Sequence, residues 1–220
     1  MADKSLSGGN PERGWGQMFP GFLTPDIHVD NRALNGRSTR SFRNEGHWEL
    51  VRKKLRKGDY VFIQFGHNDQ KADTARHSDA ETDYKINLGK YIDETRKVGA
   101  IPVLFTPIVR RKFNPNGTLA DTHGKYTDAV RTVAKEKQVL LIDLNKMSAG
   151  LLEKYGPEKS TSLFVWVEPG IYAALPKGKQ DNTHLNVRGA RLIARMVAEA
   201  IKETIPALAP HIVMYDYVVA

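Results

Sequence analysis

The sequence predicts an α/β fold in which helices cover both faces of a parallel β-sheet. Three short apolar runs bounded by turn residues are typical of buried strands, and they lie at residues 60–65, 101–106 and 139–143. Segments with a helical spacing of apolar residues separate these runs, as in folds that alternate strands and helices. Strands that are apolar along their whole length are typical of parallel sheets buried on both faces.

Two weaker elements are predicted ahead of the first strong strand. Residues 27–31 fit a short strand. Residues 47–56 have the spacing of a helix that places Trp48, Val51 and Leu55 on one face.

The later helices are predicted from the same spacing and from residues that begin or end helices. They cover residues 82–98 and 122–138, and Asn186 can cap a last helix. The apolar stripe of that last helix consists of Ala190, Ile193, Val197, Ala200 and Ile201. Residues 107–121 and 157–185 have no regular pattern, and long loops in a compact domain are more often functional than idle.

The composition is that of an ordinary globular domain. The chain has 220 residues, 40% of them hydrophobic and 26% charged, which is enough for one domain with a full core. It contains no cysteine, which excludes disulfides, thiolate nucleophiles and cysteine-based zinc sites. No apolar stretch approaches the roughly 20 residues that span a bilayer, so no membrane partner is expected. Residues 1–12 lack the pattern of a signal peptide.

The net charge of +8 predicts an anionic partner. Nucleic acid is disfavoured because the basic residues are scattered and are not interleaved with the aromatic residues of a single-strand binding surface. An acidic polysaccharide fits the charge equally well.

Polar residues follow the first strong strand abruptly, in the stretch GDYVFIQFGHNDQ at residues 58–70. Ligands of parallel α/β sheets bind at the carboxyl ends of the strands, and Asn68 lies just past such an end. Its carboxamide can donate hydrogen bonds to an oxyanion that develops during a reaction. The alternative is an asparagine that accommodates a tight turn. Gly36 poses a similar choice, between a backbone N–H aimed at a ligand and an ordinary loop glycine.

Asp181 and His184 form an Asp-x-x-His pair just before the last helix. The carboxylate can accept the Nδ1 proton of the imidazole, which fixes the tautomer and leaves Nε2 to act as a base. Two alternatives stay open: a turn in which Asp181 binds backbone amides, and metal ligation, for which no clear set of partners completes the site.

Five blocks together resemble the rhamnogalacturonan acetylesterase family of the SGNH (GDSL-like) hydrolases, and they occur in that family's order. They are PERGWGQMF, NRALNGRSTRSF, GDYVFIQFGHNDQK, GTLADTHGKY and DNTHLNVRGA. The resemblance implies a flavodoxin-like, three-layer α/β/α sandwich with a parallel sheet. It also implies a secreted or periplasmic enzyme without a cofactor or metal, which removes acetyl groups from an acidic pectic polysaccharide.

The resemblance also implies roles for individual residues. Gly36 would offer its backbone N–H, and Asn68 its side-chain amide, to the oxyanion. His184 would be the general base, and Asp181 would orient it. Substrate-binding candidates are taken from the loops by position: Arg110, Arg111, His123, Trp166 and Tyr172.

The nucleophile of that family lies in a Gly-Asp-Ser motif, and the sequence contains none. We expect the motif, and the first strand that carries it, to lie outside this chain, so that the chain alone is nearly inactive. The nearby hydroxyl groups belong to Ser5, Ser7, Ser38 and Ser41, and the last two are more simply loop or capping residues. The alternative is a non-catalytic protein that binds acidic polysaccharide.

The last six residues, YDYVVA, resemble the opening strand of pectin methylesterases. We therefore expect a hydrolase domain at residues 1–210. Residues 211–220 would form a linker or the start of a covalently linked second enzyme module. Residues 212–219 could alternatively fill the position of the missing strand.

Overall fold

The computed structural model describes residues 1–214, which form two compact units that interleave along the chain. The sheet unit comprises residues 36–109 and 121–149. The hairpin unit comprises residues 1–35, residues 110–120 and the described residues from 150 onwards. None of the helices in this described part of the chain is long and apolar enough to cross a bilayer.

The sheet unit contains the three predicted parallel strands. They are β1 (Tyr60–Gln64), β2 (Ile101–Phe105) and β3 (Leu140–Ile142), and they lie in the order β1-β2-β3. The predicted α/β class with a parallel sheet is therefore confirmed. Asn68 and Asp69 follow β1, which places both at the carboxyl end of the sheet.

Four helices lie wholly within the sheet unit: α2 (Thr39–Asn44), α3 (His47–Arg52), α4 (Asp83–Lys97) and α5 (Lys125–Glu136). Apolar side chains of these helices form one buried cluster with Ile63 of β1 and Leu104 of β2. A further helix, α6 (Leu144–Lys159), follows β3 and was not predicted. The predicted helices are confirmed, with ends that are shorter by one to four residues.

The hairpin unit contains two antiparallel strands, β4 (Phe164–Val167) and β5 (Lys179–Leu185). It also contains α1 (Trp15–Met18) and the long α7 (Val187–Thr204), which pack together. Asn186 caps α7 as predicted, because its side chain accepts a hydrogen bond from the Gly189 amide at 3.0 Å. The unit also contains short 3-10 turns at Ser7–Gly9, Phe19–Phe22, Ser160–Leu163 and Ala209–His211.

Two predictions of local structure were wrong. Residues 27–31 form no strand; the Ile27 amide closes a turn on the Thr24 carbonyl at 3.1 Å. Residues 157–185 are not one irregular loop, because β4 and β5 pair within them. Strand pairing depends on the partner strand, so a polar run such as KQDNTHL gives no local apolar signal for a strand.

The end of the described chain returns to an early segment of the hairpin unit. Ile212 forms an isolated bridge with Leu23, and the Val213 amide donates to the Phe22 carbonyl at 2.9 Å. Residues 215–220, on which the second-module prediction depends, lie outside the described residues. The boundary at residue 210 stays a prediction.

Candidate active site

Strand β5 brings Asp181 and His184 into direct contact. The Nδ1 atom of His184 lies 2.7 Å from Oδ2 of Asp181. The other carboxylate oxygen, Oδ1, accepts the backbone amides of Thr183 at 2.7 Å and His184 at 2.9 Å. Asp181 therefore makes the local turn and orients the imidazole at the same time, so two of the interpretations left open by the sequence apply together.

These contacts keep Asp181 ionised. Burial alone raises the pKa of this carboxyl group, but hydrogen bonds from His184, Lys179 and two backbone amides outweigh it and hold the pKa well below its usual range. An ionised acceptor at Nδ1 selects the tautomer with the proton on that nitrogen. The Nε2 atom then carries the lone pair, and 36% of the His184 side chain is exposed. The pair is therefore arranged as a general base with its orienting carboxylate.

A second carboxylate, Glu12, lies beside this pair. Ligand atoms of Glu12, Asp181 and His184 all lie within 4.8 Å of one another, a spacing that could suit a metal ion. However, the Lys179 ammonium already lies 2.6 Å from Glu12 and 2.8 Å from Asp181, and Lys4 lies 2.9 Å from Glu12. Two ammonium groups among two carboxylates leave no uncompensated negative charge, so this donor set does not fit a metal.

The candidate oxyanion donors come together in the sheet unit. The Nδ2 atom of Asn68 donates to the Arg37 carbonyl at 3.2 Å, which holds its side chain against the loop that contains Gly36. Gly36 has a φ of 77°, a left-handed conformation that favours glycine. The sequence predicted both residues. The contact between the Asn68 side chain and the next residue of the Gly36 loop is a new observation.

Asp69 fastens the start of α2, which follows the Gly36 loop, to the segment after β1. One carboxylate oxygen accepts the Thr39 amide at 2.9 Å and the Thr39 hydroxyl at 2.5 Å, and the other accepts the Gly66 amide at 3.0 Å. Burial raises the pKa of Asp69 to about 6 despite these hydrogen bonds. Sequence reasoning missed this role. The one available signal was a carboxylate directly after a buried strand.

Two of the hydroxyl groups near the predicted motif are committed to a helix cap. Ser38 accepts the Ser41 amide at 3.1 Å, and Ser41 accepts the Ser38 amide at 2.9 Å. Both side chains are buried at the start of α2. This confirms that they are capping residues.

Among the substrate-binding candidates, Arg111 and Trp166 meet on Asn182, inside the DNTH block. The Arg111 guanidinium lies 4.8 Å from the centroid of the Trp166 ring. Both side chains donate to Oδ1 of Asn182, at 2.7 Å and 3.1 Å respectively. Asn182 directly follows Asp181, so this group forms part of the surroundings of the Asp-His pair.

The remaining three candidates are Arg110, Tyr172 and His123. Burial lowers the pKa of Arg110. Tyr172 lies in the segment between β4 and β5, where it forms a bridge with Leu175. His123 is buried in the sheet unit and packs edge-on against His67, with 4.4 Å between the ring centroids. Their role in substrate binding stays a prediction.

An α/β fold that carries an Asp-x-x-His pair is an arrangement that hydrolases with an imidazole base use. The chain belongs to the GDSL-like Lipase/Acylhydrolase family, whose model matches residues 2–192. It is 41% identical to the rhamnogalacturonan acetylesterase RhgT of Bacillus subtilis (strain 168), over 92% of this chain and 86% of that protein. It is 35% identical to the probable rhamnogalacturonan acetylesterase YesY of the same organism, over 86% of this chain and 83% of that protein.

A solved structure agrees with this assignment. The crystal structure of the YxiM protein of Bacillus subtilis superimposes with a TM-score of 0.75 and 29% identity, over 88% of this chain and 51% of that chain. The three-layer α/β/α architecture predicted from the sequence is that of this hydrolase family. The resemblance to rhamnogalacturonan acetylesterases is also confirmed, and these relatives support a carbohydrate acetylesterase function.

Proposed function

We propose that this protein removes acetyl groups from rhamnogalacturonan, with His184 as the general base. The observation that carries the proposal is the 2.7 Å contact between Nδ1 of His184 and the ionised Asp181. Two relatives support the substrate: one is named a rhamnogalacturonan acetylesterase and the other a probable rhamnogalacturonan acetylesterase. Each matches more than four fifths of this chain. By extension from the family resemblance, we place the activity outside the cytoplasm, in a secreted or periplasmic protein.

In the proposed reaction, Nε2 of His184 takes the proton of a serine hydroxyl as its oxygen attacks the acetyl carbonyl carbon. The same proton then passes to the sugar oxygen as its bond to the acetyl group breaks. Water repeats the cycle on the acetyl-serine and releases acetate. The backbone N–H of Gly36 and the amide of Asn68 would stabilise the oxyanion in both steps.

We infer that the nucleophilic serine is not among residues 1–220. The sequence contains no Gly-Asp-Ser motif, and Ser38 and Ser41 are buried in a helix cap. In the described part of the hairpin unit, no hydroxyl group is hydrogen-bonded to Nε2 of His184. Ser5, for example, accepts the Ser7 amide at 3.1 Å instead. The lack of a nucleophile among these residues also favours a second candidate function, the binding of acidic polysaccharide without catalysis.

Acetate release from acetylated rhamnogalacturonan tests the proposal. We expect residues 1–220 alone to release almost none, because losing the serine–histidine unit costs about a million-fold in kcat in a serine hydrolase. A form extended at its N-terminus with a Gly-Asp-Ser segment should release acetate. His184→Ala should abolish that release, and His28→Ala, at an exposed histidine of the same unit, should not.

The possible outcomes separate the hypotheses. Fast, His184-dependent release by residues 1–220 would contradict the inference about the serine, and alanine variants of Ser5, Ser7, Ser38 and Ser41 would then locate the nucleophile. If the extended form binds the polysaccharide but releases no acetate, the protein is better described as one that binds acidic polysaccharide without catalysis.

A further inference from the structure

We propose that Lys179 and Glu12 are positioning residues, which hold Asp181 against His184 and balance the charge beside its imidazole. This inference rests on the role proposed above for His184. Lys179 and Glu12 form, with Lys4 and Asp181, a group of two cations and two anions that we call the charge cluster. Lys179, Glu12 and Lys4 were not among the site residues predicted from the sequence.

Backbone pairing places Glu12 beside β5. Glu12 and Asn186 form an isolated antiparallel bridge, and the Arg13 amide donates to the Leu185 carbonyl at 3.0 Å. Lys179 and Asp181 lie two residues apart on β5, so their side chains leave the same face of the strand. The segment containing Glu12 thus reaches the face of β5 that carries the orienting carboxylate.

One ammonium group links the two carboxylates. The Nζ atom of Lys179 lies 2.6 Å from Oε1 of Glu12 and 2.8 Å from Oδ2 of Asp181. Oδ2 is also the atom that accepts Nδ1 of His184. Lys179 and the imidazole therefore share one oxygen, and any change at Lys179 acts directly on the contact that orients His184. Lys4 completes the cluster at 2.9 Å from Oε2 of Glu12.

Three members of the charge cluster are largely shielded from water, and the fourth, Lys179, is 33% exposed. The exposed fractions of the Asp181, Glu12 and Lys4 side chains are 10%, 14% and 8%. Charges in such a position interact more strongly than pairs on the open surface. Burial opposes the charged forms, yet the mutual contacts prevail: they lower the pKa of Glu12 and raise the pKa of Lys179.

The balance of charge predicts two opposite effects. Without Lys179, the cluster has a net charge of −1, which favours the protonated imidazolium form of His184. Without the charge of Glu12, the cluster has a net charge of +1, which disfavours imidazolium. Removing both charges restores a neutral cluster of Lys4 and Asp181. A merely structural role for either residue predicts no such pair of opposite shifts.

Other charged groups of the hairpin unit are unchanged in every variant. Arg13 binds the backbone carbonyls of Asn10 and Glu12, and Arg111 binds Asn182. Arg188 is the second residue of α7, and Glu168 directly follows β4. The amino group of Met1 is also present, and burial followed by the charge of Lys4 lowers its pKa to about 5. These groups are the same in every variant, so differences between variants report the charge cluster.

Histidine titration by NMR tests the proposal on residues 1–220 and needs no turnover. The ring signals of His184, assigned with His184→Ala, are followed from pH 4.5 to 9. Lys179→Met should raise the titration midpoint by about half a pH unit or more, and Glu12→Gln should lower it by a similar amount, the effect of one charge at close range. The double variant should return towards the unmodified protein.

Two controls separate charge from folding. Lys179→Arg keeps the charge and should leave the midpoint within about 0.2 pH units, well below the full effect of one charge. Lys177→Met removes one positive charge from an exposed site two residues away, and it should also leave the titration midpoint of His184 unchanged. Midpoints that move in the same direction in Lys179→Met and Glu12→Gln, or that do not move in the near-isosteric Glu12→Gln, would overturn the proposal.

The outcome is independent of the proposed function. If no acetylesterase activity is ever found, the titration still decides whether the charge cluster controls His184. In an active, extended form, the acid limb of the kcat/KM profile should move with the midpoint, upwards in Lys179→Met and downwards in Glu12→Gln.

Discussion

Asp69 is a buried carboxylate whose polar contacts in the sheet unit come from neutral donors. Its side chain is fully shielded from solvent, and it accepts two backbone amides and one hydroxyl group. These contacts join the segment after β1 to the start of α2, which follows the Gly36 loop. Burial is the largest influence on this group and raises its pKa to about 6. Its ionisation therefore opposes folding, although its hydrogen bonds support the fold.

The sign of the pH effect follows from this shift. The folded pKa of Asp69 is above the ordinary value of 3.8, so the native state binds more protons between about pH 4 and pH 6. The stability that Asp69 contributes should fall as the pH rises through that window. The free-energy advantage of the natural protein over Asp69→Asn should therefore be smaller at pH 7 than at pH 4, by up to about 3 kcal/mol. Urea unfolding at both pH values measures it.

A neighbour provides a control that cannot titrate. Ser78 lies in the same buried group, 3.4 Å from the Thr39 hydroxyl. Ser78→Ala should change the free energy of unfolding by the same amount at both pH values. If the advantage of the natural protein over Asp69→Asn grew with pH, Asp69 would be stabilised as an anion and our account of it would be wrong.

At the scale of the element, the start of α7 depends on a close approach between backbones. A Cβ atom on Gly189 would lie 2.0 Å from the Leu163 carbonyl oxygen, and backbone cannot yield as the tip of a side chain can. We therefore expect Gly189→Ala to destabilise the fold by about 1–3 kcal/mol or more, the cost typical of overpacked cores. Thermal or urea unfolding measures it.

Gly150 is the matched control, because it lies within a helix where a Cβ atom would meet nothing within 4 Å. Gly150→Ala should stabilise α6 by roughly 0.5–1 kcal/mol, since alanine loses less backbone entropy on folding. Two identical substitutions should thus have opposite signs. Equal effects would mean that α7 can move away from Leu163 at little cost.

The elements also show which structural features can be predicted from a short stretch of sequence. The strands β1, β2 and β3 are short apolar runs, and Asn186 caps α7 through a residue three positions later, so a window of sequence contains all of the information. Asp181 and His184 were found for the same reason. The strand β5 was missed because KQDNTHL is polar and forms a strand only where β4 pairs with it.

Glu12 shows why the remainder of the site could not be predicted. Its partner Lys179 is 167 residues away along the chain, and the pairing beside β5 arises only when the hairpin unit folds. Once β5 is known to be a strand, the alternation of Lys179 and Asp181 on one face becomes readable. A local error about one strand thus hid two residues of the proposed charge cluster.

At the scale of the whole molecule, the net charge of +8 and the calculated pI of about 9.6 bear on the partner. Each galacturonic acid unit of a pectic backbone carries one carboxylate wherever it is not methyl-esterified. A cationic protein gains long-range attraction to such a chain, and that attraction is screened by salt. Charge alone therefore predicts binding that depends on both ionic strength and the degree of esterification.

We predict that the protein binds polygalacturonate of low methyl-esterification at about 20 mM salt and releases most of it at about 0.5 M, where the screening length falls to about 4–5 Å. Highly methyl-esterified pectin is the matched control: it has the same backbone with most charges removed, and should bind weakly at either salt concentration. Affinity electrophoresis of His184→Ala makes the measurement without turnover. Equal, salt-insensitive binding to both polymers would show that the basic surface does not contribute. Substrate recognition would then have to come from uncharged contacts such as the exposed ring of Trp166.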